Sequence, residues 1–239
     1  MKAILYTILA TGIIGTANAQ NNKKETIEGN GKIINRTVSV KSFDALDAEG
    51  VFEIKLIQGN NESVFLEGDE NLLEYITVHN EGTKLIIDMD KLKDKNVNYK
   101  TKNKLKVSVT FRNVKAMEFK TVGDVASSGE LKFDNLLINH QGVGTLNITL
   151  TANTISLKNK GVSDIILTGK ATQATIKNSG VGSIKAGNLA VQSMNIQNSG
   201  VGSAEVNVEK DVKVRSSGLG SVKNKGAAPI PRKMKTAVI

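Results

Sequence analysis

The motif KNSGVGSIK, residues 177–185, recurs along the second half of the chain with small changes. Its other copies are HQGVGTLNI (140–148), KNKGVSDII (158–166), QNSGVGSAE (197–205) and RSSGLGSVK (215–223). The first glycines of the five copies are Gly142, Gly161, Gly180, Gly200 and Gly218, at intervals of 19, 19, 20 and 18 residues. A degraded copy, FKTVGDVAS, lies around Gly123. A fixed period of this length indicates a repeat architecture.

Residues before each glycine alternate between apolar and polar. Apolar side chains stand four and six residues before it, and a mostly polar one stands between them. This period of two predicts a strand with one buried face. The inward positions are Leu136, Ile138, Ile155, Leu157, Ala174, Ile176, Met194, Ile196, Val212 and Val214. A second strand starts four residues after the glycine, at Leu146, Ile165, Ile184, Ala204 and Val222. We also expect the residues directly after the glycine to point inward at the corner: Val143, Val162, Val181, Val201 and Leu219.

Two short strands joined by a glycine corner, repeated about every 19 residues, predict a coil in which like strands stack on like strands. The leucine-rich repeat signature is missing, and a propeller blade needs about twice this period. The predicted fold class is therefore all-β, a parallel β-helix (β-solenoid) with about 19 residues per turn in the C-terminal half. The N-terminal half is expected to be β-rich but less regular.

A polar column accompanies the corners, two residues before each first glycine: His140, Asn159, Asn178, Asn198 and Ser216. Stacked side chains of this kind can hydrogen-bond from turn to turn and satisfy backbone groups that leave the ladder. For His140, a substitution within this stack is a more economical interpretation than a metal ligand.

The chain begins with a pattern typical of a secretory signal. Lys2 precedes the apolar residues 3–14, and Ala17-Asn18-Ala19 fits the cleavage site. The expected organisation is a signal peptide at 1–19, a flexible lead-in at 20–34, one β-helix domain at 35–225 and a tail at 226–239. No transmembrane segment is expected once the signal is removed. We therefore expect an exported protein of the periplasm, outer-membrane surface or extracellular space.

Net charge and composition restrict the classes of binding partner. The formal net charge of +9 becomes +8 when Lys2 is removed, which favours an anionic glycan or envelope component. Residues 91–104 carry six Lys against one Asp, so this segment is either an anion-contacting loop or a solvated insertion. Aromatic residues make up only 4% of the chain, which argues against nucleic acid and against a stacking platform for bases or sugars.

The stretch from Arg36 to Ile76, followed by serial S-G-V-G-S units, resembles the head GIN-domain family of exported bacterial proteins described as auto-transporter adhesins. The most specific parts are F-D-A-L-x-A-x-G-V-F-x-I (43–54) and G-D-E-N-L-L (68–73), and the resemblance spans residues 36–225. It implies a β-helical fold and a location in the envelope or at the surface of Gram-negative bacteria. It implies no catalytic residues, and because the sequence has no P-loop and no Cys/His metal cluster, we expect no cofactor and no metal.

Three functions remain open from the sequence. The first is a non-enzymatic surface or envelope module, adhesin-like, that binds a glycan, an envelope polymer or a protein through the faces of the β-helix. The second is a polysaccharide lyase or hydrolase, for which Asp124 and Asp164 are the candidate pair, two turns or about 10 Å apart. The third is a purely structural envelope protein. Self-association through the open coil ends is a further expectation.

Overall fold

The computed structural model describes residues 26–91 and 98–230, so the expected signal peptide lies outside the described residues. About 70% of the chain is strand and 3% is helix, and a solenoid of about six turns occupies residues 116–224. The strands are β1 (Thr26–Glu28), β2 (Ile33–Ser39), β3 (Ala45–Gly50), β4 (Glu53–Gln58), β5 (Ser63–Asp69), β6 (Thr77–Glu81), β7 (Lys84–Asp88), β8 (Asn98–Lys100), β9 (Lys106–Phe111), β10 (Ala116–Thr121), β11 (Val125–His140), β12 (Val143–Asn159), β13 (Val162–Asn178), β14 (Ile184–Asn198), β15 (Ala204–Ser216) and β16 (Val222–Asn224). Helix α1 spans Glu70–Leu73. No helix within the described ranges is long and apolar enough to cross a membrane.

The predicted parallel β-helix is confirmed. Strands β10 to β16 pair in parallel, each with the next, and His140, Asn159, Asn178, Asn198 and Ser216 stand in one register. Each turn has two walls, which we call the approach wall (the strand before the glycine corner) and the exit wall (the strand after it). The predicted inward residues of both walls are buried, except that Val214 and Val222 at the last turn are partly exposed.

The corner valines point outward, so the expectation that they face inward was wrong. Val162 is 55% exposed, whereas its neighbours Gly161 and Ser163 are buried. The period-two alternation continues without a break from Asn159 through the corner to Ile165, so every second residue faces in. The inside of the corner has no room for a side chain, because a Cβ on Gly161 would lie 2.1 Å from the Gly142 carbonyl oxygen. Glycine therefore takes the inward position, and the valine beside it must face out.

The polar column forms the predicted ladder inside the corner. The Asn159 amide donates to Asn178 Oδ1 (2.9 Å), and the Asn178 amide donates to Asn198 Oδ1 (2.8 Å). Each Oδ1 of Asn159 and Asn178 also accepts from the backbone N–H two residues on, at 3.2 Å. The ladder thus satisfies corner backbone groups that the sheet does not reach.

The N-terminal half continues the same stack in an order that differs from the chain order. The turn built from β3 and β4 lies between two others, since β3 pairs with both β10 and β7 while β4 pairs with both β11 and β9. Gly50 and Val51 occupy the places of Thr121 and Val122 in the next turn, so they form an earlier corner of the same kind. The degraded copy at Gly123 is also a corner, with Val122 bridged to Val143.

Antiparallel strands close the N-terminal end of the stack. Strand β5 pairs antiparallel with β9 and with β2, and β6 pairs antiparallel with β7. Helix α1 follows β5 and buries Leu72 and Leu73 over this end. The N-terminal half thus caps one end of the coil, because a reversed strand ends the parallel winding.

The C-terminal end is covered on one wall. The Asn224 amide donates to the carbonyl oxygens of Val208 and Ala228, and Ala228 is buried. Residues 226–230 of the expected tail therefore pack against the exit wall. At the other end, residues 26–34 of the expected lead-in supply β1, which pairs with β8, and the start of β2.

Candidate binding groove and the predicted site residues

A groove of about 810 Å³ lies at the corner where the exit wall leads back to the approach wall, across several successive turns. Segments 42–44, 112–115 and 132–137 form most of it, and Glu62, Thr83, Thr154 and Ser156 complete the lining. The chain must bend here without the glycine motif, so side chains of neighbouring turns are left around an open space.

The floor of the groove is apolar. Phe43, Val114 and Leu136 are buried beneath it. Phe133 is only half-buried, and its ring stacks on Phe111 with the centroids 6.1 Å apart and the planes at 20°. One face of an aromatic ring is therefore held in a defined orientation at the groove.

Charged and amide side chains form the rim. Lys115 Nζ lies 3.1 Å from Asp44 Oδ2, and Ser42 Oγ donates to Glu62 Oε1 at 2.9 Å. Hydrogen bonding from Thr83, followed by that from Lys115, lowers the pKa of the Asp44 carboxyl below its usual value. Carboxylate acceptors and ammonium donors thus stand side by side around an apolar floor.

A second acidic position lies beside Phe133. The Asn135 amide donates to Asp134 Oδ2 at 2.8 Å, and the Asn153 amide approaches Asp134 Oδ1 at 3.5 Å. Exposed Arg112 and Lys132 complete the charged rim. An apolar floor with a few convergent polar groups is the usual composition of a small-molecule or sugar site.

The candidate pair Asp124 and Asp164 does not lie in this groove. Both stand on the outside of the glycine corner, two turns apart, with Thr145 between them in register. Asp124 Oδ1 accepts from the Thr145 N–H (2.8 Å), and Asp164 Oδ1 accepts from the Ser183 N–H (2.9 Å). The hydrogen bond from Lys185, followed by that from Ser183, lowers the pKa of Asp164. Each carboxylate thus bonds the backbone of the following turn, which is a structural role.

His140 is fully buried in the polar column. Its Nε2 lies 2.7 Å from Ser163 Oγ, and no polar partner lies on Nδ1. Burial lowers the pKa of the imidazole to about 4. Within residues 26–91 and 98–230 there is no group of three or more His, Asp or Glu side chains that could hold a metal ion. The placement of His140 agrees with a substitution within the polar stack.

The lysine-rich segment 91–104 is described only in part, because residues 92–97 lie outside the described ranges. Its second part returns to the domain, where Thr101 Oγ1 donates to the buried Asp69 carboxylate and Lys104 forms an ion pair with Glu53. At least these two residues are engaged with the protein itself.

The groove was not predicted from the sequence. Its half-buried aromatic residue, Phe133, lies two residues after the inward Leu131, where the sequence pattern does not distinguish it from a core residue. One signal was present, since F-D-N-L-L (133–137) departs from the aliphatic pattern of the later turns.

Comparisons with known proteins agree with the fold and the resemblance. The sequence profile of a family described as "Putative auto-transporter adhesin, head GIN domain" matches residues 42–228. A crystal structure of a "putative adhesin" from Bacteroides fragilis has a TM-score of 0.74 and 29% identity, and the match covers 83% of this chain and 99% of that one. No curated protein matches the sequence.

More distant crystal structures share the fold. A "putative adhesin" from Parabacteroides distasonis matches with a TM-score of 0.57 and 19% identity, over 84% of this chain and 100% of that one. A "putative lipid binding protein" from the same species matches with a TM-score of 0.55 and 20% identity, over 86% and 98%. At these identities the likeness shows the architecture alone.

Proposed function

Since this chain belongs to the head GIN domain family, whose profile covers residues 42–228, we propose that it is an exported, non-enzymatic surface or envelope module. Its activity is to bind a glycan of the envelope or of a neighbouring surface. The groove around Phe133 is the binding site. The observation that carries the proposal is the half-buried Phe133 ring, braced by Phe111 and surrounded by charged and amide side chains.

A sugar ring has one apolar face of C–H groups and an edge of hydroxyls. The low aromatic content of the chain argued against a stacking platform, but the single Phe133 ring at the groove offers a surface for the apolar face. Asp134 and Asn135 can accept from and donate to the hydroxyls at its edge. Arg112, Lys115 and Lys132 can contact carboxylates or sulfates on an acidic polymer, in agreement with the positive charge of the chain.

The arrangement favours binding over cleavage. Glycoside hydrolysis needs two carboxyl groups facing one bond, one of them free to donate a proton. Asp124 and Asp164 are each bonded to a backbone N–H of the next turn, and Asp44 is held ionised by its hydrogen bonds. The lowered pKa values of Asp44 and Asp164 make these two carboxyls poor proton donors at neutral pH.

The test is retention of the mature chain (residues 20–239) on immobilised polysaccharides of anionic and neutral classes, with reducing-sugar and unsaturated-product readouts on the same samples. Phe133→Ala should lower the affinity for the retained polysaccharide about tenfold, as loss of one ring contact of about 1.4 kcal/mol implies. Asp134→Asn, which keeps the shape but removes the charge, should weaken binding less.

Phe65→Ala is the matched control, because Phe65 is also half-buried but lies on β5, outside the groove. Product formation would overturn the proposal in favour of a polysaccharide lyase or hydrolase. If Phe133→Ala and Phe65→Ala bind the polysaccharide alike, the groove is not the site. If no polysaccharide is retained at all, a purely structural envelope role would remain.

A further inference from the structure

Among the described residues, eight large hydrophobic side chains are exposed, and seven of them lie on one line. We call this line the valine ridge; it consists of Val51 (39% exposed), Val122 (50%), Val143 (47%), Val162 (55%), Val181 (46%), Val201 (46%) and Leu219 (73%). Each stands at the glycine corner of one turn and is in register with the next. Seven rungs at the strand spacing make a row about 29 Å long.

The fold itself does not require an aliphatic side chain there. The outward positions beside the ridge hold Ser, Thr, Lys and Asp, such as Ser179, Thr145, Lys160 and Asp164. A polar residue would therefore fit the same backbone at the ridge positions. A continuous exposed apolar row between polar flanks marks an interaction surface.

The charge beside the ridge changes sign from end to end. Within four residues of Val51 and Val122 there are five carboxylates and two lysines, a net charge of −3. Within four residues of Val181, Val201 and Leu219 there are four cationic groups and one carboxylate, a net charge of +3. The acidic end carries Asp47, Glu49, Glu53, Glu118, Asp124, Lys55 and Lys120, and the basic end carries Lys177, Lys185, Arg215, Lys223 and Glu205. Lys104, paired with Glu53, reduces the negative charge by one.

The two ends also differ in shape. A pocket of about 210 Å³ lies beside Val51 and Val122 at the acidic end, with the apolar side chains of Phe52 and Leu105 in its lining. The most exposed and largest side chain of the ridge, Leu219, stands at the basic end. One end thus has a cavity, and the other has a projecting side chain.

We propose that the valine ridge is the interface between two copies of this chain, packed ridge to ridge and antiparallel. A twofold axis passes beside Val162, which meets its own equivalent. Leu219 of each copy then faces Val51 of the other and enters the pocket next to it. The acidic end of each ridge lies along the basic end of the other. A parallel arrangement would place like charges together and leave both pockets empty.

The expected dimer is weak and reversible. The ridge is one side chain wide, so with its flanks it approaches the lower limit for a specific interface, about 1,000 Å². The groove lies at the other end of the approach-wall strands and stays open in this arrangement. A dimer would present two grooves, and bivalent attachment strengthens binding to a repeating polymer.

The first test is analytical ultracentrifugation of the mature chain over concentrations up to about 1 mM, the limit of weak association. We expect a monomer–dimer equilibrium whose dissociation constant rises at least tenfold in Val162→Asp, which places two carboxylates at the axis. The matched control is Thr172→Asp, an exposed position on the same strand, β13, away from the ridge. It should dimerise like the parent, and circular dichroism should show both variants folded.

The second test uses the absence of cysteine from the chain. Val162→Cys should be joined to its equivalent by a bis-maleimide that spans about 10 Å, the separation of packed faces. Val201→Cys alone should not be joined, because antiparallel packing separates the two copies of position 201 by four rungs, about 19 Å. Mixing Val201→Cys with Val122→Cys should give the cross-linked heterodimer.

Three outcomes would overturn the proposal. One is a chain that stays monomeric over the whole concentration range. Another is a dimer that Val162→Asp leaves intact, which would place the interface elsewhere. The third is equal cross-linking of Val162→Cys and Val201→Cys, which would indicate parallel packing. A monomer that sediments with phosphatidylcholine–phosphatidylglycerol vesicles, and loses this in Val162→Asp, would assign the ridge to a lipid surface instead.

Discussion

The buried polar column shows how single residues stabilise a coil that has no disulfide. The side-chain amides of Asn159 and Asn178 each donate to the asparagine of the next turn, and Asn198 Oδ1 accepts the last of these bonds. All three side chains also bond the backbone. A buried amide that lacks a hydrogen-bond partner costs about 1–3 kcal/mol, so the column stabilises the fold only if each of its amides is hydrogen-bonded. His140 stands at the first rung but does not join the amide ladder, since its Nε2 bonds Ser163 and its Nδ1 stays unpartnered in the described structure.

The burial of the His140 imidazole predicts a pH dependence of stability. Burial depresses the pKa of His140 from 6.5 to about 4, so the unfolded chain binds a proton that the folded chain does not. The contribution is fully present above pH 6.5 and is lost as the pH falls through 4, in total about 3 kcal/mol. Between pH 6.5 and 5, above the range of most carboxylates, urea unfolding should show a loss of roughly 1.5 kcal/mol.

His140→Asn supplies the amide found on the next three rungs and cannot titrate, so its unfolding free energy should lose this component of the pH dependence. The remaining His79 is half-exposed, 3.5 Å from Glu81, and serves as the control through His79→Asn, which should keep the loss. An unchanged slope in His140→Asn would contradict the assignment.

At the scale of the element, the period of two determines which side chains face inward on the two walls and through the glycine corner between them. The alternation runs through the glycine corner without a break. Every second residue from Ile155 to Ile165 therefore faces inward, and the residues between them face outward. Glycine at the inward corner position lets successive turns approach closely. At Gly182 the backbone adopts a φ of +123°, which side chains rarely allow.

The alternation predicts that the same substitution at two adjacent residues on β13 will change the free energy of unfolding by very different amounts. Ile176 is fully buried and Lys177 is exposed. Ile176→Asp should lower the free energy of unfolding by several kcal/mol, about 3–5, because it buries an unpaired carboxylate. Lys177→Asp, with the same new side chain, should change it by less than about 0.5 kcal/mol. Thermal and urea unfolding measure both, and equal melting of the two variants would contradict the inward assignment.

At the scale of the whole molecule, the order of the turns in the stack differs from their order in the sequence. Residues 45–58 come early in the sequence, yet their turn is covered on both sides, by β7 and β9 on one side and by β10 and β11 on the other. The chain passes from β9 directly to β10 across this turn. The domain therefore cannot be built by adding turns in sequence, and its first turn is held by residues that follow it.

Hydrogen exchange can test this order. Amides of residues 45–58 should exchange as slowly as those of β12 and β13, because both have bonded neighbours on each side. Residues 211–216 should exchange faster, since in the described part of the chain they pair only with β14. Mass-spectrometric peptide analysis resolves these segments. Fast exchange at 45–58, at the rate of 211–216, would argue against the interior position.

Local patterning alone determined the solenoid. The spacing of Gly142, Gly161, Gly180, Gly200 and Gly218, the inward aliphatic positions and the asparagine column are properties of neighbouring turns, so aligned repeats reveal them. The outward direction of the valines was also available from the period of two. It was misjudged because an apolar side chain was assumed to be buried, and the absent Cβ of the glycine beside it was the stronger indicator.

Only the tertiary structure decided the rest. Four features join segments that are tens of residues apart. They are the place of the β3–β4 turn, the antiparallel cap, the groove at Phe133 and the small pocket beside the valine ridge. No local period records such contacts, because they depend on which strand edges meet once the chain has closed on itself. The repeating sequence thus determined the turn, while long-range strand pairing decided the order of the turns and the surfaces that they present.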